Sequence, residues 1–151
     1  MRLLVQRSKI SSVSIEGKIV GKIDFGIVVF VGFTHTDTFS DIEYLAKKLV
    51  NLRIFDDENH IMNKSLLDVN GSILSISQFT LYADSKKGNR PSYIDSMKAS
   101  EASKMYDLFN EELKKYNVTV QTGVFQTDMQ VNIINDGPVT IILEKESDRH
   151  D

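Results

Sequence analysis

Ile27-Val28-Val29-Phe30-Val31 is the stretch on which the fold class turns. It is apolar at every position and rich in β-branched side chains, so it reads as a strand covered on both faces at the centre of a sheet. Ahead of it, Ser12-Val13-Ser14-Ile15 alternates polar and apolar residues, as a half-buried strand does. Glu16-Gly17-Lys18 then reads as a hairpin turn into Ile19-Val20-Gly21-Lys22-Ile23. Behind the central stretch the period changes. Ser40 suits an N-cap, Glu43 three residues on completes a capping-box pattern, and Ile42, Leu45, Ala46, Leu49 and Val50 recur at helical spacing.

Asp56-Asp57-Glu58-Asn59 breaks that pattern and reads as a loop. Strand character returns from Gly71 to Leu81, with Leu74, Ile76 and Gln78 on one face and Ser75, Ser77 and Phe79 on the other. Residues 84–100 are polar, contain Gly88 and Pro91, and make a long loop of the kind that often carries function. A second helix is expected from Glu101 to Tyr116, with an apolar stripe of Met105, Leu108, Phe109 and Leu113. Strands follow at Val118 to Thr122, Met129 to Ile134 and Val139 to Glu144. Groups of strands separated by two helices predict an α+β fold with mostly antiparallel sheets. One domain is expected over residues 1–145, with a charged tail at 146–151.

Composition narrows the function. A chain of 151 residues buries about 70% of the surface its unfolded form exposes, enough for one ordinary core. It has no cysteine, which excludes disulfides, thiolate nucleophiles and cysteine-ligated zinc. The N-terminus lacks an apolar signal segment, and the densest apolar run, Ile27 to Phe33, is too short to cross a bilayer. A cytoplasmic protein with no membrane contact is expected. The formal net charge of −3 argues against broad, non-specific nucleic-acid binding, but leaves room for a grip on one RNA end. Lys47 and Lys48, Lys86, Lys87 and Arg90, and Lys114 and Lys115 are local basic groups that read first as solvated surface.

Familiar hydrolytic machinery is missing from the sequence. His35, His60 and His150 fall in no motif and read as surface residues. There is no G-x-S-x-G elbow, H-E-x-x-H pair, Walker loop or G-x-G-x-x-G. Asp56-Asp57-Glu58 reads as a solvated turn, not as a calcium loop, and no metal or cofactor is expected. Thr80 offers a hydroxyl without a visible base, and it equally suits a strand as a β-branched residue. Ser77 and Gln78 either hydrogen-bond near a reacting carbonyl or simply sit beside a bend. Asp136-Gly137-Pro138 reads as a tight turn before a strand.

Two segments nevertheless stand out together. Ser77-Gln78-Phe79-Thr80-Leu81 and Asn135-Asp136-Gly137-Pro138-Val139-Thr140 resemble the SQxxL and NxGPxT signatures of the D-aminoacyl-tRNA deacylases. The likeness extends to Val5-Gln6-Arg7, Arg53-Ile54-Phe55, Met62-Asn63, Arg90-Pro91-Ser92, Gln121-Thr122-Gly123 and Asp128-Met129-Gln130-Val131. It spans nearly the whole chain. The resemblance implies hydrolysis of the ester in D-aminoacyl-tRNA while L-aminoacyl-tRNA is spared, with Gly-tRNA a further candidate. It implies that Ser77, Gln78, Phe79 and Thr80 line the ester site, where main-chain N–H groups matter at least as much as side chains. Gly137-Pro138 would be a cis peptide that enters the partner subunit's site and crowds the substrate's Cα. Arg7 would support that loop, and Phe125 and Met129 would flank the terminal adenosine. Gln126, where the family favours a small residue, either narrows that site or points outward. The implied fold is a barrel-like α+β unit, and the implied working form is an intertwined homodimer that takes the 3′ end of tRNA. The alternative is a non-catalytic nucleic-acid-binding module, or a small dimeric scaffold whose Gly-Pro loop is only structural.

Overall fold

The structure, a computed structural model, describes residues 1–145. The expected charged tail at 146–151 and His150 lie outside the described residues. The chain opens with four strands: β1 (Arg2–Ser8), β2 (Ser11–Ile15), β3 (Lys18–Ile23) and β4 (Gly26–Gly32). Then come α1 (Phe39–Asn51), the short hairpin β5 (Phe55–Asp56) and β6 (Met62–Lys64), and the single turn α2 (Leu66–Val69). β7 (Ser72–Ser77) runs into a 3-10 turn at Phe79–Tyr82. After a long loop come α3 (Ala99–Lys114), β8 (Val120–Thr122), β9 (Gln130–Asn132) and β10 (Asn135–Glu144).

A five-stranded sheet runs in the order β10-β1-β4-β7-β8, and a three-stranded sheet in the order β3-β2-β9. The β4–β7 and β7–β8 pairs are parallel, and the other pairs of these two sheets are antiparallel. The expected α+β class and antiparallel bias hold. The barrel does not close, because β10 and β8 end the larger sheet and, among the described residues, no ladder joins it to the smaller one.

The layers explain why Ile27 to Val31 is apolar throughout. Ile27, Val29 and Val31 join Leu3, Val5 and Ile73 in a core under Ile42, Leu45 and Leu49 of α1 and Phe109 and Leu113 of α3. Val28 and Phe30 look the other way, into a second core with Val13 and Ile23 of the small sheet. β4 is thus covered by helices on one side and by strands on the other. Burying a side chain such as Leu45 or Phe109 on this scale stabilises by about 1.5–3 kcal/mol each.

Several boundaries differ from the sequence expectation. α1 starts at Phe39, and its cap is Thr38, whose N–H donates to Asp41 Oδ2 at 2.8 Å. The Ser40/Glu43 pattern therefore sits inside the first turn; Thr38 and Asp41 have the same spacing, and Asp41 is buried where it can serve the cap. The helices number three among the described residues, not two: α2 is a four-residue turn closed by the Ser65/Asp68 pair, too short to leave a periodic stripe. α3 spans Ala99–Lys114, two residues earlier than expected at each end. β7 stops at Ser77, so Gln78 does not continue the Leu74/Ile76 face; its N–H donates to Val31 O at 2.8 Å and the chain turns. β8 and β9 are shorter than expected, and β10 begins at Asn135, so the Gly137-Pro138 segment lies within a strand and not ahead of one.

Two buried polar groups fasten this arrangement. The Asp37 carboxylate accepts from the Met1 ammonium at 2.6 Å and from Thr34 N–H at 2.7 Å, which pins the loop after β4 to the start of β1. Burial pushes the Asp37 carboxyl above its usual range. Tyr106 of α3 reaches across the core and donates its hydroxyl to Ser75 O of β7 at 2.6 Å. Burial raises the Tyr106 phenol above its ordinary value. The neutral phenol's contribution is thus full below about pH 10, the unfolded value, and fades as pH climbs through the higher folded value. Tyr106→Phe should cost about 1 kcal/mol in urea unfolding near neutral pH, and it should flatten the alkaline decline of stability above pH ~10.

Candidate active site

A cavity of about 710 Å³ opens where β4 and β7 end. Val31, Gly32 and Phe33 form one wall, and Ile76, Ser77, Gln78 and Phe79 form the next. Residues 124–129 face them, and Met97, Ala99 and Ala102, at the start of α3, complete the enclosure. The turn at Gln78 can lie this close to β4 because residue 32 is glycine. A Cβ there would stand 2.9 Å from Leu81 Cβ and 3.0 Å from Gln78 O. At the mouth, Phe79 and Tyr93 meet edge to face with ring centroids 5.1 Å apart. Ser96 Oγ donates to Phe79 O at 3.1 Å and ties the long loop to the turn.

Five of the residues singled out in the sequence therefore line one space: Ser77, Gln78, Phe79, Phe125 and Met129. Phe125 leans on Tyr106, 6.2 Å between centroids, and the Met129 sulfur accepts Val124 N–H at 3.4 Å. Gln126 lines the mouth with a left-handed backbone (φ 56°), so of the two readings the structure favours a residue at the site. Thr80 is not in the lining; its hydroxyl accepts from Gln78 Nε2. Among the described residues, Asp128 is the one carboxylate in the lining, which contains no histidine, lysine or arginine. His35 rests its Nε2 on Ile94 O at 2.7 Å, and neither it nor His60 reaches the cavity wall. Tyr93, Ser96 and Asp128 were given no role from sequence. The first two lie in the polar stretch 84–100, whose length was the available signal.

Arg7, Gly137 and Pro138 come together elsewhere. Between the pairs Gln6↔Thr140 and Ser8↔Asn135, the single residue Arg7 faces residues 136–139, so β10 throws out a loop there. Its Gly137–Pro138 bond is cis. The Arg7 guanidinium is buried against the loop, with Nε donating to Asp136 O at 3.0 Å and Nη1 to Ile54 O at 2.9 Å. Carboxylates of Asp56 and Asp136 lie 3.5 and 3.6 Å away. Gly137 has φ 130°, and a Cβ on it would meet Arg7 Nη2 at 3.0 Å, so the guanidinium packs directly on the glycine. The outer letters of NDGPVT also have a task. Asn135 Oδ1 accepts Val139 N–H at 3.2 Å, and its Nδ2 donates to Thr140 Oγ1 at 3.0 Å, bracing the loop at its base.

The loop and the cavity lie far apart within one chain. Arg7 pairs with Ile27 and Ile27 with Ile73, whereas Ser77 lies four residues further along β7. Four residues along a strand make about 13 Å, and the three strand spacings from β10 to β7 add about 14 Å across. By this spacing Gly137-Pro138 stands well away from the Ser77–Phe79 segment of its own chain, and it is not in the cavity lining.

No group of three or more His, Cys, Asp or Glu able to hold a metal occurs among the described residues. No helix there is long and apolar enough to cross a membrane. Replacing Asn135 by Ala should unbrace the Gly-Pro loop, leaving Val139 N–H without its acceptor. It should cost about 1–2 kcal/mol by thermal or urea unfolding. Arg7→Ala, which orphans two carbonyls, should cost more, about 3 kcal/mol.

Comparison with known proteins follows the same lines. The family profile described as D-Tyr-tRNA(Tyr) deacylase matches residues 4–144. A D-aminoacyl-tRNA deacylase of Bacillus cytotoxicus is 54% identical over 144 residues, 95% of this chain and 99% of that protein. One from Bacillus cereus matches at the same identity and coverage. Among solved structures, the c-Myc DNA Unwinding Element Binding Protein superposes with a TM-score of 0.91 at 38% identity, covering 97% of this chain and 100% of that one. A probable eukaryotic D-amino acid tRNA deacylase, 16% identical, shares the fold with a TM-score of 0.82 over 94% of this chain and 97% of its own. With both signature segments in place and the match running from residue 4 to residue 144, the chain belongs to the D-Tyr-tRNA(Tyr) deacylase family.

Proposed function

We propose that this protein hydrolyses the ester joining a D-amino acid to the 3′ end of tRNA and rejects the L form. The observation that carries the reading is the lining of the cavity: Ser77, Gln78 and Phe79 form one wall and Phe125 and Met129 stand opposite. An aminoacyl-adenosine needs one polar wall for the ester and one apolar wall for the base. Phe79 and Thr80 begin the 3-10 turn, so their N–H groups have no acceptor within it. They are the groups to receive the carbonyl oxygen as it gains negative charge. Water adds to the carbonyl carbon, the bond to the ribose oxygen breaks, and that oxygen takes a proton to become a free hydroxyl. The neighbouring 2′-hydroxyl is placed to relay that proton. Free D-amino acid and tRNA are the products.

Thr80 fits a nucleophile's part poorly. Its hydroxyl is engaged by Gln78, and among the described residues it has no hydrogen bond to a histidine or carboxylate that would take its proton. Its role here is to hold Gln78 and, with its amide, the ester oxygen. No metal or cofactor is needed for such a step: holding an activated ester against fixed donors is itself a large part of catalysis.

Chirality is assigned to Gly137 and Pro138. Since they stand at the far end of their own sheet, the loop acts on a second copy's cavity, and the working form is a homodimer with paired sites. Arg7, packed on Gly137, holds the loop's shape. Main-chain atoms that crowd the substrate's Cα exclude an L side chain without selecting a D one, so many amino acids pass. Glycine has no side chain to exclude, and Gly-tRNA passes too. A protein acting on charged tRNA works in the cytoplasm.

A second reading is a nucleic-acid-binding module without catalysis, favoured by the 38% identity to the c-Myc DNA Unwinding Element Binding Protein. Kinetics separates the two. Purified protein should release D-Tyr from D-Tyr-tRNA and leave L-Tyr-tRNA at its buffer rate; equal survival of both esters would end the deacylase reading. Gly137→Ala should lower the D/L discrimination, while His35→Ala and His60→Ala should change the rate by less than about 3-fold, against the 10²–10⁴-fold expected of an acid–base group.

A further inference from the structure

Residues 85–94 carry Lys86, Lys87 and Arg90 and no acidic residue, in a chain whose formal net charge is −3. All ten are exposed. They hang from a paired neck, where Asp84 and Ser92 exchange two main-chain hydrogen bonds of 2.8 Å. Five cations elsewhere in the fold are paired: Arg2 with Glu144, Arg7 with Asp56 and Asp136, and Lys64, Lys114 and Lys115 with glutamates. Lys86, Lys87 and Arg90 stand in no ion pair among the described residues.

The loop is also placed, not merely charged. Lys86 lines a polar hollow of about 350 Å³ together with Arg2 and the carboxylates of Asp84 and Asp95. A few residues on, Tyr93 lines the large cavity, with its ring against Phe79. The return limb is fastened at two points: Thr34 Oγ1 donates to Asp95 O at 2.6 Å, and Ser96 Oγ donates to Phe79 O at 3.1 Å. Three cations in no ion pair thus sit on the loop whose Tyr93 completes a half-exposed aromatic pair at the cavity. Phosphates tracked by cations, with bases stacked on aromatic rings, is how single-stranded nucleic acid is held without sequence preference.

We propose that the 85–94 loop grips the phosphates of the unpaired RNA segment that leads into the cavity, with Tyr93 stacking the base at the rim. The inference rests on the deacylase reading for its choice of RNA and specifies how that site holds it. A net negative protein would otherwise repel tRNA, and three unpaired cations on the loop that brings Tyr93 to the cavity supply the local attraction that the whole molecule lacks.

The test is the triple variant Lys86→Ala, Lys87→Ala, Arg90→Ala, read by its affinity for uncharged tRNA across a salt series and by its kinetics. Loss of three single-strand phosphate contacts should flatten the slope of log affinity against log salt by about 2. KM for D-Tyr-tRNA should rise roughly 10-fold with kcat little changed, the size expected for a few exposed charge contacts. The ratio of kcat/KM for D-Tyr-tRNA to that for 3′-O-(D-tyrosyl)adenosine, which has no phosphate, should fall by the same factor. The charge-preserving variant Lys86→Arg, Lys87→Arg, Arg90→Lys should restore the slope. Tyr93→Ala should raise KM and Tyr93→Phe should not. An unaltered salt slope and an unaltered substrate ratio in the triple variant overturn the proposal. If the wild type cleaves neither ester, the deacylase reading falls by itself, and the tRNA-binding slope still decides the role of the loop.

Discussion

The pairing of β4 with β7 is the constraint on which the rest depends. Ile27 to Val31 must be covered on both faces, and the parallel partner from Ser72 to Ser77 is what extends the sheet over both cores. A parallel neighbour needs a long crossover, and α1 with the β5–β6 hairpin provides it. Because the strands run the same way, their carboxyl ends finish together. Val31 and Ser77 arrive side by side, and the Gln78 amide is caught by Val31 O as the chain turns. The cavity is the space left at that shared end.

This origin explains the chemistry the site offers. Strand ends present main chain, and the turn at 79–82 adds amide groups with no acceptor behind them. A residue pair such as Ser and His would need side chains delivered from two elements to one point, and the lining holds no such pair. What the fold delivers instead is shape: a close approach at Gly32, an aromatic rim, and a brace from Ser96. Such a site suits a substrate that is already activated and needs holding more than attack.

The sequence disclosed these features unevenly. Local period revealed β4, the hairpin at Glu16-Gly17 and the stripes of both long helices, since each depends on neighbours in the chain. Thr38 and Ser40 both head a plausible capping box, and only the burial of Asp41 chooses between them. The end of β7 at Ser77 is set by contact with Val31, some 46 residues away, and no period could mark it. Pairing between Ser77–Phe79 and Phe125/Met129 across the cavity came through resemblance, because nothing in spacing links positions so distant. Tyr93 and Ser96 stayed hidden for the converse reason: polar loops look alike until something is seen to hold them. The roles of Asn135 and Thr140 in NDGPVT became physical only with their hydrogen bonds.

The bracing of the Gly137-Pro138 loop has a consequence for how the protein is made. Its clamps come from the first strand, through Gln6 and Arg7, from Ile54 in mid-chain, and from the last strand itself. A growing polypeptide on the ribosome can assemble the cavity wall once β4, β7 and the 3-10 turn have emerged, but the loop waits for almost the whole message to be read. Contacts between residues 129 and 134 positions apart also form late for entropic reasons. The braced cis loop is therefore the last feature of this fold to form, long after the β4 and β7 segments that wall the cavity have been made.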